Sequence, residues 1–123
     1  MRKTYRYPGL SFAAADEEEV NITVKFISDG NTGDTVINVP GPHDPEIENE
    51  GTALLGKGGE LRNSLTVSVS SLENLVAEED EIRVQYLINN KLLVEHSNKK
   101  TEEERPLVML IIAFPKIEMR NSK

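Results

Sequence analysis

Val20-Asn21-Ile22-Thr23-Val24-Lys25-Phe26 puts four apolar side chains on one face of an extended chain and Asn21, Thr23 and Lys25 on the other. A period of two is the signature of a half-buried strand, and it makes this a sheet-forming chain. Just beyond it, Ser28-Asp29-Gly30-Asn31-Thr32-Gly33-Asp34 is dense in residues that tolerate positive φ. A turn is expected there, with the chain returning along Thr35 to Val39 as a hairpin. Pro40, Pro42 and Pro45 supply no amide hydrogens, so the returning strand ends at Pro40. Asp44 as cap, Pro45 at the first helical position and Gly51 as terminator fit one short helical turn.

The same alternation continues toward the C-terminus. Leu65, Val67 and Val69 interleave with Thr66, Ser68 and Ser70, which predicts another half-buried strand with its apolar members inward. Ser70-Ser71-Leu72-Glu73 matches a capping box, and Leu72, Leu75 and Val76 have helical spacing, so a short helix is expected near residues 71–78. For the pair Ile82 to Ile88 and Leu92 to Ser97, side-chain parity selects the turn. A three-residue loop, Asn89-Asn90-Lys91, sets Ile88 opposite Leu92, Tyr86 opposite Val94 and Val84 opposite His96, all on one apolar face. Leu107-Val108-Met109-Leu110-Ile111-Ile112-Ala113-Phe114 is apolar on both faces and reads as a central strand.

With a weak strand around Tyr5 to Tyr7, about seven strands emerge, at spacings that suit a single mainly β domain over residues 1–123. The expected architecture is a sandwich of two antiparallel sheets, with residues 1–19 as a loosely ordered N-terminal arm. The order of a strand, a turn with Glu79-Asp80 and a strand bearing Tyr86 resembles part of immunoglobulin-like domains. Asp80 lies six residues before Tyr86, no cysteine follows that tyrosine and the chain has no tryptophan. The resemblance therefore implies an immunoglobulin-like or related Greek-key sandwich without membership of a family.

The 123 residues carry 21 acidic and 14 basic side chains, a net charge of -7. The imbalance is local: Asp16 to Glu60 holds eleven acids against Lys25 and Lys57. A negative surface repels phosphate backbones and anionic lipid, so neither nucleic-acid binding nor membrane attachment is expected. The chain lacks cysteine, and its longest apolar run is eight residues, far short of the roughly 20 that a membrane helix requires. Arg6, Pro8 and Gly9 interrupt any apolar export segment, so a cytoplasmic location is expected.

Four motifs invite a chemical reading. Gly51-Thr52-Ala53-Leu54-Leu55-Gly56-Lys57-Gly58 matches a phosphate-loop spacing but ends on glycine where a hydroxyl should ligate magnesium, and a flexible glycine loop is the plainer reading. Asp29, Asn31 and Asp34 group three oxygen-bearing side chains as a candidate calcium loop, although the EF-hand register fails; the alternative is a polar turn. His43 and His96 are the two histidines. His43 reads as a solvated loop residue and His96 as a cap on the edge of the core. The runs Glu17 to Glu19, Glu78 to Glu81 and Glu102 to Glu104 read as solvated charge and not as paired glycosidase acids.

No acid, base and nucleophile combination is legible, so neither an enzyme nor a cofactor is expected. The expected function is a non-catalytic protein-interaction or assembly module, partnered by another protein or by itself. Its binding surfaces would be exposed sheet edges or the acidic face, with Lys91, Lys99 and Lys100 guarding an edge against aggregation. The alternative is a module that binds calcium or carbohydrate through its loops.

Overall fold

A computed structural model describes residues 2–41 and 44–117. These form strands β1 (Thr4–Ser11), β2 (Glu19–Phe26), β3 (Asn31–Asn38), β4 (Glu46–Glu48) and β5 (Gly51–Lys57), a four-residue helix α1 (Gly58–Leu61), and strands β6 (Thr66–Asn74), β7 (Glu81–Ile88), β8 (Lys91–Lys99) and β9 (Leu107–Ala113). One sheet has the order β1-β9-β6-β3-β4 and the other β5-β2-β7-β8. β1 runs parallel to β9, and the other pairings are antiparallel. Buried side chains of both sheets meet in one cluster, so the chain is mainly β and has the layering of a sandwich. Strand β2 follows its sequence pattern, with Val20, Ile22 and Val24 buried and Lys25 exposed.

The turn after β2 is where it was expected, but it does not close a hairpin. Both edges of β2 are already paired, to β5 and β7, so the chain crosses to the other sheet, where β3 lies between β4 and β6. Gly30 makes that crossing with φ +83, and a Cβ there would come within 2.2 Å of the Val76 side chain. The helical turn expected from Asp44 to Gly51 is instead β4, which pairs with β3 and buries Ile47 between exposed Glu46 and Glu48. The glycine stretch forms β5, an edge strand against β2 and not a flexible loop. Thr4 to Ser11, where a weak strand is expected around Tyr5 to Tyr7 within a loosely ordered arm, is an eight-residue strand on β9; β4 and β5 are the two strands that bring the total from about seven to nine.

Parity beyond the β7–β8 turn is as read, by a different local route. Asn89 and Asn90 form a two-residue turn with φ of 48 and 68, the doubly left-handed geometry that asparagine accommodates. Ile88 therefore meets Lys91, not Leu92, and a register shift after Tyr86 restores Tyr86 opposite Val94 and Val84 opposite His96.

Strand β6 reverses its expected faces. Thr66, Ser68 and Ser70 are buried, whereas Val67 and Val69 lie half-buried on the outside. Tyr86 explains why. Its phenol reaches from β7 across the gap between the sheets, about 10 Å, and donates to Ser70 Oγ at 2.8 Å, which in turn lies 2.7 Å from Thr35 Oγ1. Small hydroxyl residues opposite a buried tyrosine give it both room and a partner.

The same register removes the helix expected at 71–78. β6 continues to Asn74 because β3 pairs with it as far as that residue and β9 as far as Ser71, Leu72 enters the core, and Leu75 is 69% exposed, so no apolar helical face is buried. Asn74 closes the strand: Nδ2 donates to Asp29 O and Asn31 Oδ1, and Oδ1 accepts from Val76 N.

Thr66 Oγ1 and Ser68 Oγ are buried without a hydrogen-bond partner among the described residues. Ser70→Ala should therefore destabilise the fold by about 1–2 kcal/mol, since it strips the Tyr86 hydroxyl of its acceptor, whereas Ser68→Ala should be neutral or stabilising. Urea denaturation of both variants checks this, and an equal loss in the two would contradict the assignment.

Candidate interaction surface

The two outer faces of the sandwich differ in chemistry. On the four-stranded sheet, outward side chains bind one another. Thr23 Oγ1 lies 2.8 Å from Thr52 Oγ1, and Glu95 accepts from Arg83 Nη2 at 2.7 Å and from Gln85 Nε2 at 2.9 Å. The Gln85 and Arg83 hydrogen bonds hold the Glu95 carboxyl below its usual range. This face pairs Arg83 with Glu95 and also carries exposed Leu54 and Leu92, at 52% and 57%, on its two edge strands β5 and β8.

On the five-stranded sheet the apolar groups lie together across the central strands. Cross-strand register aligns Arg6, Met109, Val69, Val36 and Glu46 in one row over all five strands. A neighbouring row runs Ile111, Val67, Asn38, and on the other side a third runs Thr4, Leu107, Ser71, Asp34, Glu48. Val36 is 44% exposed, and Leu65, just before β6, is 60% exposed. The result is a contiguous apolar strip with a cation at the β1 edge and carboxylates at the β4 edge. Asp34 and Glu48 sit directly opposite each other, a like-charge pairing that destabilises a ladder. Arg6, Glu46, Glu48 and Asp34 form no ion pair among the described residues.

The residues read as a calcium loop are not brought together. Asn31 and Asp34 are three apart on β3 and so project from opposite faces. The Asn31 carboxamide oxygen already accepts from Ser28 and Asn74, and its nitrogen donates to Arg83 O. Asp29 lies exposed in the turn before them. Among the described residues no group of three or more His, Asp or Glu side chains is placed to hold a metal, and no helix is long and apolar enough to cross a membrane. His43 lies outside the described residues. An open groove of about 1410 Å³ between the β6–β7 and β8–β9 connections mixes both charges, Lys99, Lys100 and Arg105 with Glu79, Asp80 and Glu104 among them.

His96 is more deeply placed than a core-edge cap: it is wholly buried on β8. Its Nδ1 is 2.8 Å from the Tyr7 hydroxyl, and its Nε2 is 2.8 Å from Asn98 Oδ1. Asn98 is fixed by its own Nδ2, which donates to the carbonyls of Lys99 and Glu103, so its oxygen faces the ring. Nε2 therefore carries the proton and Nδ1 accepts from Tyr7, an arrangement that satisfies neutral imidazole completely. The Tyr5 ring packs tilted against the same imidazole, centroids 4.7 Å apart, and its hydroxyl donates to Glu102, which Lys3 also binds. Burial, followed by the Glu102 hydrogen bond, pushes the Tyr5 phenol up to about 12. Because Tyr5 and Tyr7 belong to β1 and His96 to β8, the cluster clasps one sheet to the other at an open side of the sandwich.

The clasp titrates in a definite direction. Burial lowers the His96 pKa below 6.5, outweighing the Asn98 hydrogen bond and the Glu102 charge, which raise it. The unfolded imidazole then takes up a proton at a pH where the folded one does not, so stability is complete above about 6.5 and declines as pH falls toward the folded value. Denaturation at pH 7.5 and 5.5, above the range where carboxylates titrate, should show the loss, and His96→Gln should flatten it. An unchanged slope in that variant would contradict the assignment. No protein-family model, curated protein or solved structure matches the chain, so its functional reading rests on its own surfaces.

Proposed function

We propose that the chain is a non-catalytic protein-interaction or assembly module that binds through the outer face of its five-stranded sheet. The observation that carries this reading is the row Met109, Val69, Val36, apolar and uncovered in the middle of a sheet whose rim is charged. A contiguous apolar patch rimmed by polar residues is the surface that proteins bury against a partner. At about 25 cal/mol per Å², covering a few hundred Å² of it would contribute several kcal/mol. On the other sheet the exposed leucines, Leu54 and Leu92, lie on opposite edge strands and form no common row, while its Thr23–Thr52 and Arg83–Glu95–Gln85 groups bind one another.

The reading predicts that dilute native protein, at sub-micromolar concentration, enhances the emission of an anilinonaphthalene sulfonate dye and that Val69→Asp removes the enhancement without altering the far-ultraviolet circular dichroism. Equal dye binding by the two proteins would contradict a binding face centred on Val69.

A further inference from the structure

We infer that the occupant of this face is a second copy of the chain, packed face to face about a two-fold axis that lies in the interface and runs along the direction of β6 to within half the crossing angle of the sheets. The inference rests on the interaction reading above and adds the partner and the geometry. Its basis is the charge order of one cross-strand row: Arg6 on β1, then Met109, Val69 and Val36, then Glu46 on β4. The row is antisymmetric in charge about Val69, which stands on the middle strand of five. A two-fold axis along that strand exchanges the two ends of the row. Val69 then meets Val69, Met109 meets Val36, and each Arg6 guanidinium faces Glu46 of the other copy, twice per dimer. An axis across the strands would instead set Arg6 on Arg6 and Glu46 on Glu46, so the charges select one orientation.

The surroundings agree with this choice. Asp34 and Glu48 bring two further carboxylates to the rim that receives Arg6, and none of these four charged groups is ion-paired within its own chain among the described residues. Stacked sheets cross at about 30°, which moves the rim by about 5 Å, within the reach of an arginine side chain. The area is also sufficient. Five strands about 4.8 Å apart and about seven residues long at 3.3 Å each present a face of roughly 550 Å², so two copies bury about 1,100 Å², near the lower bound for a specific interface. A weak, concentration-dependent dimer follows.

Sedimentation and light scattering across a concentration series test this on the full chain. The native protein should approach twice its 13.7 kDa at high concentration. Arg6→Glu and Glu46→Arg should each weaken association about tenfold or more, and the double reversal should restore it to within about threefold of native. Glu46→Lys provides a second reversal at the same site, and unchanged circular dichroism establishes that each exposed substitution leaves the fold intact. A monomer at every concentration that still binds the dye through Val69 would overturn the dimer while leaving the interaction reading in place. A dimer indifferent to both single reversals, or a double reversal no better than either single one, would overturn the proposed geometry.

Discussion

The hydrogen bond from Tyr86 to Ser70, continued to Thr35, is the constraint on which the rest of the structure depends. A buried phenol that lacks an acceptor leaves its hydroxyl desolvated without compensation, at a cost of about 1–3 kcal/mol. Tyr86 is wholly buried between the sheets, so it needs an oxygen from the opposite sheet at that depth. Burial pushes its ionisation up, which keeps the hydroxyl a donor at any ordinary pH. Ser70 meets the need only if β6 turns its hydroxyl side inward, and the pleat then places every second residue with it. One cross-sheet contact thereby sets the facing of a nine-residue strand.

That facing determines the surface. With Thr66, Ser68, Ser70 and Leu72 inside, Val67 and Val69 are outside, beside Met109 and Ile111 on β9 and Val36 on β3. An interior that accepts hydroxyls and an exterior that carries valines are two sides of the same register. The hydroxyls of Thr66 and Ser68, unpartnered among the described residues, are a stability cost of that register, offset by the clustered aliphatics of β2, β7 and β9. The His96 clasp adds a second link between the layers, from β8 to the tyrosines of β1. Together the two links give the five-stranded sheet a fixed inner anchorage and leave its outer face uncovered among the described residues.

Much of this was legible in the residues, and the failures share a cause. β2 was readable because its apolar side is the buried side, and the pairing of Tyr86 with Val94 because a bulge preserves parity across a shorter turn. The facing of β6 departs from expectation because alternation gives two faces without saying which is inside, and hydropathy alone favours burying the valines. The 71–78 helix failed likewise: its capping-box serine is committed to Tyr86 and its leucine to the core. A turn at Ser28 to Asp34 was visible, but local propensity does not say to which sheet the chain returns. Nor could it say that Asn31 and Asp34 would stand on opposite faces of β3. The sign of an uncovered face was present in Leu107 to Phe114, apolar on both sides, as a central strand would be. That strand does lie between two neighbours, yet one of its faces meets solvent.

The facing of β6 can be measured directly because the chain has no cysteine of its own. Val69→Cys and Ser70→Cys, each folded and at sub-micromolar concentration, would be reacted with a water-soluble thiol reagent. With Ser70 inside, the thiol at 69 reacts like an exposed one and that at 70 at least about a hundredfold more slowly, through opening of the sheet. Rapid labelling at 70 with protection at 69 would contradict the account.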